Sequence, residues 1–460
     1  MARASGTAAE APDRAGGYGR GAAVLSLGIG TTGLVTYTYF ALASHVLSEA
    51  DYGRITLLWS ATFVIVSVLY RPVEQLLSRT IADRDARGLP GAHHLRIAAL
   101  IQLGLAAAFA VGALALRGPI RDGLFAGSAA LYWILIVTVL AYAASYFGRG
   151  FLSGHHRFGL YGLLVLMEAT TRCLFALAVA VGISSGQTAV ALGMAAAPLV
   201  SLVVVPFGVR RRLRSGARAE RATASLPEAP PREPEPDAPR TGAEPEFTLA
   251  RGGSFAGGVL VVMLCEQTFL NAGPLLVKAT GGAAGAALAG FTFNVLLIAR
   301  APLQLFQAIQ ASILPNLTRM RAAGEDDPFK RSVNVTLAAI AAFASVSALV
   351  LLAIGPALMD LLFGGDFEYG RGGLVLITVG MGLYLAAATL NQAILAHGRA
   401  GAAAVCWAAT AAGFVTYLAL ARPDDRVLQV EASFTAAALV LTALLFALYR
   451  HSNRQNPSNG

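Results

Sequence analysis

Apolar residues in this chain fall in long unbroken runs, separated by short polar breaks rich in Gly, Pro and Arg. Neither the strict alternation of a half-buried strand nor the one-sided stripe of a soluble helix is sustained. A helix needs about 20 predominantly apolar residues to cross the hydrocarbon of a bilayer. Scanned at that length, the first half predicts spans over 20–43, 52–80, 94–116, 128–152, 157–182 and 187–209. The second half predicts 252–279, 284–316, 330–353, 370–396, 400–420 and 427–449. Residues 1–19 and 451–460 read as polar tails. Between the halves, 210–248 opens with Arg210, Arg211, Arg212 and Arg214 and continues as PEAPPREPEPDAPR. A Pro-rich, mixed-charge tract of that kind buries too little to fold, so it is expected to be a disordered linker.

Composition agrees with the pattern. The chain is 56% hydrophobic and only 13% charged, with a mean hydropathy of +0.61. A soluble domain carries roughly 25% charged residues. So few charges cannot coat a soluble fold of 460 residues, but they suffice for the two ends of a bundle whose waist faces lipid. The net charge of +9 would suggest nucleic acid if it were clustered on one face. Most Arg lies instead in short segments between the apolar runs, where topology charges sit, and no nucleic-acid partner is expected. With the amino terminus inside, inner segments carry about 25 Lys and Arg and outer ones about seven. That bias predicts cytoplasmic termini, a cytoplasmic 210–248 linker and an even number of spans in a bacterial inner membrane.

The halves repeat weakly. TFVIVSVLYRP, ending at Pro72, matches TFNVLLIARAP, ending at Pro302; YAASYFGRGFLSGHHR, ending at Arg157, matches YLAAATLNQAILAHGR, ending at Arg399. Two matches in the same order at equivalent spans point to duplication. Six spans per half give both halves the same orientation, hence parallel repeats. The predicted fold class is an all-α polytopic membrane protein of about twelve transmembrane helices, in six-helix bundles over 20–209 and 249–450.

Three stretches carry a family resemblance. They are DYGRITLLWSATFVIVSVLYRPVEQLLSRTIA, NAGPLLVKATGGAAGAALAGFTFNVLLIARAPLQLFQAIQASILPNLTRM, and LLFGGDFEYG followed by NQAILAHGRAG. They resemble the Wzx-like O-antigen and teichoic-acid flippases of the multidrug/oligosaccharidyl-lipid/polysaccharide exporter superfamily. The resemblance covers about residues 20–450 and rests on diffuse patterns. It implies two parallel bundles around a central cavity that opens alternately to each side. The implied substrate is an undecaprenyl-diphosphate-linked oligosaccharide for cell-surface polysaccharide biosynthesis, and related flippases line the cavity with Arg. Implied partners are the lipid-linked glycan, membrane lipids, and a polysaccharide polymerase or glycosyltransferases. No cofactor and no enzymatic activity are implied.

Candidate chemistry lies in the few charges inside the runs. An Arg in mid-membrane costs roughly 2.5–3.5 kcal/mol on insertion scales unless paired or hydrated. Arg71, Arg172 and Arg300 are therefore expected to face the bundle interior, where guanidinium groups suit a diphosphate. The alternative is a local lock: Glu168 stands four residues before Arg172, and Glu74 three after Arg71. Arg300 has no acid within a turn. Glu266 is an isolated acid, a candidate for proton or ion coupling or a partner for Arg300. Asn294, Gln304 and Gln307, with Asn271 and Gln310, offer contacts to sugar hydroxyls or hydrogen bonds between helices. Pro72, Pro274 and Pro302 are candidate hinges.

Other signals are discounted. Gly28, Gly30 and Gly33 spell GxGxxG, but inside an apolar span rather than after a strand. His93–His94 and His155–His156 lack a third ligand at metal spacing. Cys173, Cys265 and Cys406 lie in apolar runs, as packing residues. The rival functions are a cation-coupled multidrug exporter of the same superfamily, which would favour an acidic cavity, and a membrane glycan polymerase or ligase. The latter is disfavoured by the short outer segment at 354–369.

Overall fold

A computed structural model describes residues 13–86, 93–207, 249–300, 326–364, 369–421 and 425–454. The 210–248 linker lies outside them, as do Pro302, Gln304, Gln307 and Gln310. The described residues are helical with no strand. In order they form α1 (Asp13–Val46), α2 (Glu49–Leu69), α3 (Arg71–Ala86), α4 (His93–Ala115), α5 (Ala129–Gly154), α6 (Phe158–Ala180) and α7 (Gly186–Ser201). After the linker come α8 (Leu249–Thr280), α9 (Gly285–Arg300), α10 (Asp326–Phe363), α11 (Arg371–Ala396), α12 (Ala400–Leu420) and α13 (Arg426–Arg454).

Ten described segments are long and apolar enough to cross a membrane, counting α2 with α3 as one. The 34-residue α1 and the shorter apolar α9 fill the other two expected places. The helix ends follow local chemistry. Ser48 caps α2 by accepting the Asp51 N–H at 3.2 Å, with Glu49 and Asp51 in the first turn. Ser128 caps α5 the same way from Leu131 at 3.3 Å, and both satisfy an otherwise orphaned donor. The second span breaks at Tyr70, and α3 restarts at Arg71 with Pro72 in its first turn. Proline is tolerated there because its missing N–H has no intrahelical acceptor.

The structure departs from the expected boundaries mainly at α10. This helix runs 38 residues to Phe363 and carries Pro356 inside it, where 330–353 was expected with an outer loop after it. At 1.5 Å per residue it is roughly 57 Å long, so it extends well past the hydrocarbon. Hydropathy marks where a helix leaves lipid, not where the helix stops.

Helix pairings repeat between the halves, as the internal similarity predicts. In the first half α1 packs on α6, α6 on α7, α5 on α7 and α4 on α5. In the second half α8 packs on α12, α12 on α13, α11 on α13 and α10 on α11. Each half has an aromatic centre. Phe40 and Phe63 flank Trp59 in the first, while Phe269 meets Tyr384, Trp407, Phe414 and Phe434 in the second.

Lipid tails are as apolar as leucine, so helices associate through close packing of small residues. The tightest such contact joins the halves, where α2 crosses α9. A Cβ on Gly53 would overlap the Ala286 carbonyl, and one on Gly290 would sit 3.1 Å from the Gly53 Cα. Gly53→Ala is therefore expected to destabilise the protein by about 1–3 kcal/mol, the range for overpacking. Gly30→Ala, with nothing within 4 Å of the added carbon, is expected to be neutral or slightly stabilising. Thermal unfolding of the two variants side by side checks both.

Candidate functional site

The crossing of α2 and α9 lies at the end of the molecule marked by the α1–α2 and α8–α9 turns and by the start of α11. Polar bonds reinforce it. The Tyr52 hydroxyl donates to Asn294 Oδ1, and Asn294 Nδ2 donates to the Tyr369 hydroxyl at 3.1 Å. The Phe40 ring packs on Phe293 at 4.6 Å. Deeper along α1, the Tyr37 hydroxyl donates to the Leu297 carbonyl at 2.5 Å. Asn294, a predicted sugar contact, is thus fully buried and bonded at both ends of its amide. Its place is in the seal between the halves.

Beyond the seal a polar cluster, the chamber, draws residues from both halves. Arg300, Glu266 and Tyr384 lie on α9, α8 and α11, each about 13–15 residues in from the sealed end, or roughly 20 Å. Arg71, at the α2–α3 break, faces them from the first half. Glu266 is within electrostatic reach of Arg71, and Tyr384 is within reach of Glu266, Arg300 and Arg71 together. Arg71 is exposed, and Glu266 and Arg300 are partly so. Two of the three predicted arginines, Arg71 and Arg300, thus lie within electrostatic reach of one residue, Tyr384. The described cation within electrostatic reach of Glu266 is Arg71 on the opposite half, not Arg300.

Arg300 stands apart electrostatically. Among the described residues its electrostatic neighbours are the neutral phenols of Tyr37 and Tyr384, not an acid. Its Nε and Nη2 are buried without an acceptor among the described residues. In the internal repeat Arg300 aligns with Tyr70, the residue at the α2–α3 break.

Arg172 takes a different place. It is 4% exposed, inside the first half. Its Nη1 donates to the Tyr142 hydroxyl at 2.8 Å, and its guanidinium lies 5.1 Å from the Trp59 ring centre and 6.0 Å from that of Phe63. Glu168 does not pair with it. Glu168 instead takes Arg149 as its ion-pair partner, with Ser145 donating at 2.5 Å and Ser201 at 3.3 Å. Position i+4 places Arg172 on the same stripe as Glu168, but a packed neighbour, α5, supplies a better-aimed guanidinium. Glu74 accepts from the Tyr161 hydroxyl at 3.0 Å and lies within electrostatic reach of Arg149 and Arg71. An acid–base chain thus runs from Glu168 through Arg149 and Glu74 to Arg71 at the chamber wall.

Arg149 is the residue that sequence reasoning passed over. It stands at the edge of its apolar run, where it counts as an inner-loop topology charge, yet it is buried in α5 and stacked 4.5 Å over Tyr146. A flanking aromatic three residues before it was the available signal. Tyr384 was also missed, although it aligns with Tyr142 in the repeat. Of the predicted hinges, Pro72 opens α3 and Pro274 is buried inside α8.

Breaking one side of a buried pair strands the other charge, at about 3–5 kcal/mol. Arg149→Met and Glu168→Met are each expected to destabilise the protein by that amount. The double variant should lose clearly less than the sum, because neither charge is left unpaired. Thermal unfolding of all four proteins closes the cycle.

No known family profile and no characterised protein sequence matches the chain. Solved structures do. An inward-facing multidrug resistance MATE family transporter of the MOP superfamily superposes with a TM-score of 0.64 at 10% identity, over 94% of this chain and 98% of that one. An outward-facing one gives 0.58 at 13% identity, over 95% and 96%. The Vibrio cholerae MATE transporter VcmN in its bent form gives 0.58 at 15% identity, over 96% and 98%. Nearly the whole chain is thus covered in each case, and the protein has the two-bundle membrane fold of the MATE transporters.

Proposed function

We propose that this protein is an alternating-access transporter that moves an anionic amphiphile across the bacterial cytoplasmic membrane, and that its substrate is an undecaprenyl-diphosphate-linked oligosaccharide. The observation that carries the reading is Arg300. A guanidinium between the two halves, with two nitrogens lacking acceptors and no acid beside it among the described residues, is left short of an anion. A diphosphate supplies one, with charge-assisted and bidentate geometry. Arg71, on the opposite wall, offers a second cation once Glu266 releases it. The fold supports the transport mechanism, since neighbours of the same fold have been solved inward-facing and outward-facing. The Lys and Arg bias supports cytoplasmic termini, which puts the sealed end outside and opens the chamber inward.

A second reading has its own support. The structural neighbours include multidrug transporters, and Glu266 sits in the chamber as the acid a cation-coupled exporter would use. The two readings separate by experiment. In proteoliposomes carrying a fluorescent undecaprenyl-diphosphate glycan, the wild-type protein is expected to translocate the lipid, and Arg300→Ala to lower the rate tenfold or more at equal protein level. Arg300→Lys should be intermediate, because a point charge lacks the bidentate fork. Wild-type rates in both variants would remove Arg300 from the mechanism. Efflux of cationic dyes that is lost in Glu266→Gln, with no lipid translocation, would favour the exporter instead.

A further inference from the structure

A second site lies away from the chamber, inside the outer end of the second half. It is a cavity of about 300 Å³ between α9, α11 and α13, lined by Phe291, Val295, Tyr369, Gly370, Gly373, Leu374, Asp425, Val427, Leu428 and Glu431. Glu431 is 6% exposed, and its carboxylate accepts no hydrogen bond and forms no ion pair among the described residues. It presses on Gly373 so closely that any Cβ there would overlap both of its oxygens. The nearest described guanidinium in sequence, that of Arg426, is turned away to the Ala421 carbonyl at 2.9 Å and Gln429 Oε1 at 3.1 Å. Asp425 adds a second acid at the exposed rim. One wall is a stacked aromatic pair, Phe291 and Tyr369, with centroids 4.6 Å apart.

We propose that this cavity binds an organic ammonium ligand and that its occupancy tightens the seal between the halves. A buried carboxylate without a partner calls for a cation. The wall narrows which one. A bare metal ion wants a shell of roughly six to eight oxygens in the calcium case, whereas two carboxylates reach this cavity among the described residues, beside two aromatic faces and four aliphatic side chains. That lining fits an alkyl or aryl ammonium, held by the carboxylates and the ring faces. The coupling runs through Tyr369. Its ring lines the cavity, and its hydroxyl accepts from Asn294, which in turn accepts from Tyr52 across the halves. A ligand that fixes the Tyr369 ring therefore favours the arrangement in which this chain of bonds is made. The site does not depend on what the central chamber carries.

Benzylammonium is the probe, titrated into the full-length protein in nanodiscs by calorimetry, with hydrogen exchange of residues 48–57 and 285–294 as the readout of the seal. Saturable binding is expected, at least tenfold weaker in Glu431→Gln, together with slower exchange at both segments. Tyr369→Phe keeps the ring and should bind, but its exchange should no longer respond. Saturable binding that appears only in discs free of phosphatidylethanolamine would identify the native occupant as the ammonium headgroup of that lipid. Binding with the same strength in both disc types would identify a soluble amine. An absence of saturable binding in either disc type, or equal binding by Glu431→Gln, would overturn the site. Binding that leaves exchange unchanged in the wild-type protein would overturn the coupling.

Discussion

A charge inside a membrane protein has few places to go, and most of this structure can be read as the answers to that constraint. Lipid offers neither hydrogen bonds nor screening, so each ionised group must meet a counter-charge, a polarisable face or water. Glu168 and Arg149 meet each other, with Ser145 and Ser201 filling the remaining acceptor capacity of the carboxylate. Arg172 lies against the faces of Trp59 and Phe63. Arg71 and Glu266 are held in mutual reach by opposite halves. Arg300 has the phenols of Tyr37 and Tyr384 but no acid beside it among the described residues, and so is the group most ready to take an anion.

The same constraint ties chemistry to motion. Arg71 and Glu266 sit on different bundles, so their attraction favours the chamber as it stands. In the proposed mechanism, an anion that drew Arg71 and Arg300 to itself would weaken that attraction and change the balance between states. At the far end the seal is made of unlike parts: a glycine crossing that admits no side chain, and a short chain of tyrosine and asparagine hydrogen bonds. The crossing allows close approach in lipid, where small residues provide most of the contact. The hydrogen bonds are modest individually, so the opening that the proposed mechanism requires would cost little per bond. The carboxylate at Glu431, in a cavity that shares Tyr369 with the seal, places a third charge where it can act on that balance.

Much of this was legible in the linear chain. Run length, sparse charge and the biased placement of Lys and Arg specify a helical membrane protein, because bilayer thickness and backbone hydrogen bonding leave few alternatives. The matched stretches around Pro72 and Pro302, and around Arg157 and Arg399, specify a duplicated architecture, and the helix pairings repeat accordingly. Arg71, Arg300 and Glu266 stood out because an ionised residue in an apolar run has a cost that requires an explanation. What the sequence could not supply is which neighbour meets that cost. Glu168 and Arg172 share a helical stripe, yet Glu168 is claimed by Arg149 from α5 and Arg172 by aromatic rings from α2. Asn294 reads as a chamber lining by its position on α9, and only the crossing angle of α2 turns it into part of the seal. The cavity around Glu431 joins residues more than a hundred positions apart. Spacing along one helix fixes which side chains share a face, but how helices cross fixes what that face meets, and that information resides in the packing alone.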